Sequence, residues 1–345
     1  MGKRSISEEH KEEQKIDFVL PWVDGNDPEW QKEKACYSPS PMAESSSEVR
    51  YRDWDNLQYW FRAAEKFAPW VNRIHFITWG HTPVWLKKDA PKLNIVDHRD
   101  YIPQEYLPTF SSHTIELNMH RIPGLSENFV YFNDDMFLTR PVRPEDFFKN
   151  GRPCDTFGLN CIYFGEDSAG HFNGSNMEVI NTEFKGQKRR IMKRDFRKWF
   201  ALKNGRTIRL KTFLLSAWDW FPGFHYDHLP TDLCKSTIAE VWEKYGDILD
   251  KTCRDRFRRE SNVNQWLFKY WQLCKGNYEV RSYKFGKAYH IEEDNFEQLC
   301  SDIINKSFSM ICVNDTPRTK DFDTKKQRVR EAFDSILPEK SSFEL

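Results

Sequence analysis

"NFVYFNDD" occupies Asn128–Asp135 and runs straight into the apolar "MFL" of Met136–Leu138. Phe129, Val130, Tyr131 and Phe132 form an unbroken hydrophobic run, the pattern of a strand buried on both faces of a covered sheet. The run ends in an amide and two adjacent carboxylates, which are expensive to withdraw from water unless something binds them.

Reading outward from this stretch, "IDFVLPW" (Ile16–Trp22), "RIHFITW" (Arg73–Trp79), "LNIVDH" (Leu93–His98) and "FSMICVNDTP" (Phe308–Pro317) have the same character. Between them lie helical patterns. Asp53–Phe67 has an acidic start and apolar residues at Leu57, Trp60, Phe61, Ala64 and Phe67. "PVWLKKDA" (Pro83–Ala90) predicts a short helix, and Ser111–Ile122 a helix capped by serine. Strands alternating with helices predict an α/β fold with a mostly parallel sheet. The rhythm loosens after Gly151. From Thr231 to Cys274 the pattern is helical, and a charged helix is expected after Thr324, so the C-terminal portion is helix-rich. The first fifteen residues are expected to fray, and residues from about 31 to 50 to form a mobile loop.

The 345 residues suffice for one large or two ordinary domains, and 39% hydrophobic with 15% aromatic residues supply a core. Formal net charge is zero, so bulk charge gives no support to nucleic acid as a partner. The eight cysteines form no C-x-x-C pair, which leaves a zinc ribbon unsupported. The N-terminal stretch lacks the apolar run of a signal peptide, and no segment reaches the length of a membrane-spanning helix. A reduced, cytoplasmic protein is expected. Between Lys185 and Lys211 there are twelve Lys or Arg and one acid, Asp195. Met192, Phe196, Trp199 and Phe200 follow helical spacing there. This basic stretch reads either as a solvated face over a core stripe or as a surface for an anionic acceptor or membrane.

Ligands of open parallel sheets bind beyond the carboxyl ends of the strands. Asp24 and Asn26 follow the first strand, His81 the second, Asn133, Asp134 and Asp135 the fourth, and Asn314 and Asp315 the last. If these strands share one sheet, the groups converge on one crevice. Clustered carboxylates there suit Mg2+ or Mn2+ bridging to substrate phosphates, or one of them serves as a proton acceptor. Asp24 alone can equally set an Asx-turn. "HYDHLPTD" adds His225 and His228, and "RFRRESNVNQ" adds Arg256, Arg258 and Arg259. Histidine exchanges protons near neutral pH, and arginine clamps phosphate with a planar fork.

"IDFVLPWVDGNDPEW", "RDWDNLQYWFRAAEKFAPWVNRIHFITWGHTPVWL", "LPTFSSHTIELNMHRIPGLSENFVYFNDDMFL", "HLPTDLCKSTIAEVW" with "RRESNVNQWLF", and "ICVNDT" stand in this order along the chain. Together they resemble the Stealth family of capsular polysaccharide sugar-1-phosphate transferases, which is related to the catalytic region of animal GlcNAc-1-phosphotransferase. The resemblance spans residues 15–317. It implies a Rossmann-like core akin to nucleotide-sugar glycosyltransferases, forming a catalytic domain over residues 16–317. A basic helical insertion lies at about 183–211, and a charged tail at 318–345. It implies transfer of a hexose-1-phosphate, for example from UDP-GlcNAc or another UDP-hexose, to a glycan hydroxyl, with Mg2+ or Mn2+. The implied catalytic residues are Asp135, His228, Arg259 and Asp315, with Asp135 and Asp315 at the metal and either His228 or Asp135 as the base. Asp24, Asn26, Asn133, Asp134, His113 and Glu116 are implied on the substrate side. A bacterial polysaccharide acceptor is favoured over a protein one, with the enzyme in the cytoplasm or at the inner face of the membrane. Two other readings share some of these features: a metal-dependent glycosyltransferase that moves the sugar alone, and a non-catalytic carbohydrate-binding protein.

Overall fold

A computed structural model describes residues 15–38, 52–165, 169–292, 294–316 and 319–345. The expected fraying of residues 1–14 and most of the expected loop (39–51) lie outside the described residues. The beginning of that loop is instead helix α1 (Pro28–Tyr37), where Asp27 accepts the amide of Trp30 and proline fills the first turn.

The central sheet has five strands: β1 (Ile16–Pro21), β2 (Ile74–Thr78), β3 (Leu93–Asp97), β4 (Asn128–Tyr131) and β8 (Thr231–Cys234). Their order is β3-β2-β1-β4-β8, with every neighbouring pair parallel except β4–β8. The helical reading of Thr231–Cys274 therefore fails at its start. Thr231–Cys234 pairs with β4, and α8 (Lys235–Cys253) and α9 (Trp266–Lys275) follow. Four wholly buried residues with only a short run before a helix carry no period that separates strand from helix.

Both faces of the sheet are covered, which explains the continuous apolar runs. Phe18, Leu20, Phe76 and Val130 face one core with α2 (Leu57–Phe67), α10 (Phe296–Ile304) and α11 (Phe322–Ile336). Val19, Ile77, Phe129 and Tyr131 face the other, with α3 (Ser112–Leu117), α4 (Gly170–Glu183), α8 and α9. Within this apolar sheet Asp17 is buried but satisfied by His75, Asn72 and the amide of Ser126. Ser111 stands at the N-cap of α3 without making a side-chain cap bond, against the expectation. Pro83–Ala90 is not a helix. Lys87 donates its amide to Phe343, and Leu345 donates to Trp85, so the C-terminus claims this segment.

The last strand does not join the central sheet. β11 (Met310–Asn314) lies in a second sheet of order β10-β11-β5, between β10 (Gly286–His290) and β5 (Met136–Leu138). A small third sheet joins β6 (Phe148–Lys149), β7 (Arg152–Asp155) and β9 (Glu279–Val280). The single-sheet premise is thus incorrect, yet the strand ends still meet. Asn133–Asp135 bridges from the end of β4 in the first sheet to the start of β5 in the second. There Met136 lies opposite Cys312, and His290 pairs in register with Asn314. The basic segment is broken into α5 (Lys188–Arg194), α6 (Phe196–Trp199) and α7 (Arg206–Leu215).

Candidate active site

Strand order reverses direction around β1 and β4, and crevices of open α/β sheets form at the carboxyl ends flanking such a reversal. The turn after β4 lies there. Asp135 Oδ2 stands 3.4 Å from His228 Nε2 and accepts the Cys312 thiol at 3.3 Å. Among the described residues, Asp135, His228 and Cys312 bring their ligating atoms within 4.8 Å of one another. Asn133 Nδ2 lies 3.5 Å from His228 Nε2. Asp135 Oδ1 is cut off from solvent and has no hydrogen-bond partner. A buried, unpaired acceptor costs about 1–3 kcal/mol, so this oxygen calls for a cation or donor.

The electrostatics follow from this packing. Burial alone would depress His228, but the charge of Asp135 and their hydrogen bond outweigh it and raise the imidazole pKa. Burial alone would raise Asp135, but His228 holds it below the usual carboxylate range. Asp134 is open at its surface yet crowded by protein. Desolvation, followed by the charge of Asp135, pushes it up to about 7. Burial pushes the Cys312 thiol well up, and Asp135 adds to this, so it serves as a donor rather than a thiolate ligand. His290, hydrogen-bonded to Asn314 at 2.8 Å, is lowered by burial and by the charge of His228.

Other expected residues are placed around this centre or apart from it. Glu116 is buried and accepts from Ser112, Tyr131 and the amide of Gln265. Burial raises its pKa. His113 is buried edge-on to Phe172. Asp24 accepts the amide of Asn26 at 2.9 Å, an Asx-turn, and its own amide donates to His81 Nε2 at 2.8 Å. His225 pairs with Asp227. Asp315 lies outside the Asp135 cluster, with both oxygens held by the Arg52 fork at 2.9 Å.

The two adjacent arginines diverge. Arg259, expected as the clamp, is 73% exposed and bonds Asp255 at 2.9 Å. Arg258 reaches Ser112 Oγ at 2.5 Å, and its charge is felt by both His228 and Glu116. Arg52, His290 and Cys312 are not among the expected site residues, and of the three candidate arginines the resemblance singles out Arg259 rather than Arg258. Residues 254–265 form a turn, closed by Asn262 on the amide of Arg259 and on Asp255, with no period to tell inner from outer arginine. Cys312 does carry a signal, since it sits on a short apolar strand ending at polar residues, whereas His290 ends the mixed strand GKAYH and carries none.

The residues fit a divalent cation in one respect. An orphaned oxygen of Asp135 and the adjacent Asp134 carboxylate offer the one or two acidic ligands with which magnesium or manganese is commonly held beside phosphates.

An α/β fold with an acid–imidazole pair at its sheet crevice hosts many chemistries, and the relatives of the chain place it among the transferases. The chain belongs to the Stealth family. Residues 14–40 match Stealth protein conserved region 1, and residues 50–155 match conserved region 2. It is 42% identical over 340 residues to a capsular polysaccharide phosphotransferase WcwK of Streptococcus pneumoniae, covering 97% of this chain and 99% of that one. It is also 42% identical over 337 residues to the receptor polysaccharide phosphotransferase WefC of Streptococcus gordonii, covering 96% and 99%. Identity is 38% over 331 residues to the exopolysaccharide phosphotransferase cps2G of Lactiplantibacillus plantarum, covering 95% and 96%. Among solved structures, the galactosyltransferase LgtC aligns over 93% of this chain and 96% of its own, with TM-score 0.39 and 11% identity. All eight cysteines are free, and no helix among the described residues is long and apolar enough to cross a membrane.

Proposed function

We propose that the protein transfers a hexose-1-phosphate, such as GlcNAc-1-phosphate from UDP-GlcNAc, to a glycan hydroxyl in capsular or cell-surface polysaccharide synthesis. It would act in the cytoplasm, at the inner face of the membrane. The names of its relatives support phosphotransfer to a polysaccharide. The observation that carries the reading is the divided Asp135 carboxylate: one oxygen anchored to His228 and Cys312, the other buried and unpaired.

In the step, the acceptor oxygen bonds to the phosphorus that carries the sugar, and the bond from that phosphorus to the bridging oxygen breaks. Nucleoside monophosphate leaves and the anomeric configuration is kept. His228 takes the acceptor proton, and Asp135 orients the ring and stabilises the imidazolium, the logic of an acid–imidazole pair. Arg258, held by Ser112 with its charge felt at His228, would neutralise phosphate charge. Asp135 and Asp134 would hold Mg2+ or Mn2+, which supplies charge neutralisation at the donor diphosphate. Asp315 would join them only when released by Arg52.

The test is incubation with a nucleotide-sugar panel and short soluble glycan acceptors, with the released nucleotide identified by mass. Monophosphate is expected. Diphosphate release would replace this reading with transfer of the sugar alone, and glycan binding with no consumption of donor would remove catalysis. Chelation is expected to abolish turnover and Mg2+ or Mn2+ to restore it; full activity in metal-free protein would remove the metal.

A further inference from the structure

The basic segment presents a solvated charged face, with Arg189, Arg190, Lys193 and Arg197 exposed, but exposed apolar side chains lie beside it. Met192 and Trp199 are buried as the helical spacing predicts, but Phe196 is 61% exposed. In α7 the departure is larger. Its inward positions are Ile208 and Thr212, while Leu210, Phe213 and Leu214 point out, at 60%, 65% and 57% exposure. Specific bonds fix this orientation. Thr212 Oγ1 accepts the amide of Leu159 at 3.0 Å, and a side chain at Gly158 would collide with Ile208 and Thr212. Lys188, buried, donates its ammonium to the carbonyls of Leu215, the last residue of the helix, and of Trp218 beyond it. Trp218 and Trp220 then continue the exposed apolar surface.

Charge surrounds this face. Arg197, Lys203, Arg206 and Lys211 are exposed on or beside it. An open groove runs between Phe200, Arg206, Arg209, Leu210 and Phe213. Arg209 Nε in that groove is cut off from water and has no partner. Exposed aliphatic and aromatic groups locked outward, rimmed by arginine and lysine, match an interfacial surface. Phe and Leu enter the acyl boundary, Trp sits at the headgroups, and the cations meet anionic lipid. A second copy placed face to face would oppose like charges. A charged glycan would use the cations but leave the exposed Leu and Phe unused.

We propose that α7 with its flanking tryptophans docks the enzyme peripherally on an anionic phospholipid surface, with Arg206 and Arg209 receiving a lipid phosphate. The inference stands on this surface alone and not on the transfer reaction.

The experiment is co-sedimentation with vesicles of equal parts phosphatidylglycerol and phosphatidylcholine, against pure phosphatidylcholine, with tryptophan emission recorded. Wild-type protein is expected to bind the anionic vesicles, with a blue shift and a fall in binding as salt rises. The combined Leu210→Ser, Phe213→Ser and Leu214→Ser variant is expected to lose binding ~10-fold or more, with unchanged circular dichroism and unchanged turnover on a soluble acceptor. Should that variant misfold, Lys203→Glu with Arg206→Glu provides the second test, by loss of the anionic preference. No sedimentation of wild type, equal binding to both vesicles, or variants that bind like wild type would overturn the proposal. So would a wild-type dimer that the triple variant converts to a monomer, because a second copy would then own the face.

Discussion

Asp24, beyond β1, accepts the amide of Asn26 and offers its own amide to His81, whereas Asp135, beyond β4, keeps one carboxylate oxygen buried and unpaired. Both follow a buried strand of the same sheet, and both are preceded or followed by asparagine within two residues. At the β1 rim the Asp24 carboxylate and amide are both engaged and fix a turn, and the buried atom left without a hydrogen bond is an imidazole nitrogen, His81 Nδ1, 3.6 Å from Asp27 Oδ2. At the β4 rim the fold has withdrawn an acceptor from water without completing its bonds. The difference teaches that acid after a strand locates a crevice, while unmet demand for a partner locates its chemistry.

The sharpest way to break the comparison is to remove the charge at each rim. Asp135→Asn is expected to lower kcat by ~10³-fold and His228→Gln by ~10²-fold or more, as for a coupled proton-transfer pair. Asp24→Asn is expected to stay within ~10-fold, its Asx-turn acceptor being retained as an amide oxygen. The measurement is nucleotide release under saturating donor in variants whose melting curves show a folded protein. A greater loss at Asp24 than at Asp135 would invert the assignment of the two rims.

The next contrast is between neighbours in one loop. Arg258→Lys keeps charge but loses the planar fork, and is expected to lower kcat/KM by ~10–10²-fold. Arg259→Lys, at an exposed pair with Asp255, is expected to change it less than ~3-fold. Parallel kinetics on both variants decide the matter. A crippled Arg259→Lys beside a normal Arg258→Lys would return the clamp to the residue that the family resemblance implied.

These contrasts also show what the sequence could carry. The parallel strands were legible because burial on both faces writes a continuous apolar run, and their ends fell within two residues of the expected ones at β1, β2 and β3. Asp134, Asp135 and His228 were legible from strand ends and from the family blocks. The Cys312 contact was not, because β11 joins β5 in a separate sheet, and antiparallel register between segments so far apart leaves no local period. The choice between Arg258 and Arg259 was hidden for a different reason: a turn closed by Asn262 and Asp255 lets two adjacent arginines diverge by side-chain bonding alone. Lys188 shows the same limit. Its place in a basic run marks it as surface, yet it is buried and caps two carbonyls, with desolvation lowering its pKa to about 8.

The smallest expected effect is on stability, and it separates Asp134 from its neighbour. Desolvation and the charge of Asp135 push Asp134 up to about 7, well above its unfolded value of about 3.9. Below about pH 4 both states carry the proton and Asp134 contributes nothing. Between about pH 4 and 7 the folded state holds a proton that the unfolded state has lost, so stability falls as pH rises. The raised pKa of His228 acts in the same direction. Its contribution is whole below the unfolded value of about 6.5 and is lost as pH rises through the higher folded value. Asp134→Asn removes the first effect and leaves the second. It is expected to raise Tm at pH 8, to leave it unchanged at pH 3.5, and to lower turnover, a gain in stability at the cost of function. Thermal melts across that range check it. Mg2+ should narrow the Tm difference at pH 8, because a cation beside Asp134 stabilises its charged form. Equal Tm shifts at both pH values would mean that Asp134 is an ordinary surface acid, and the demand at this rim would rest on Asp135 alone.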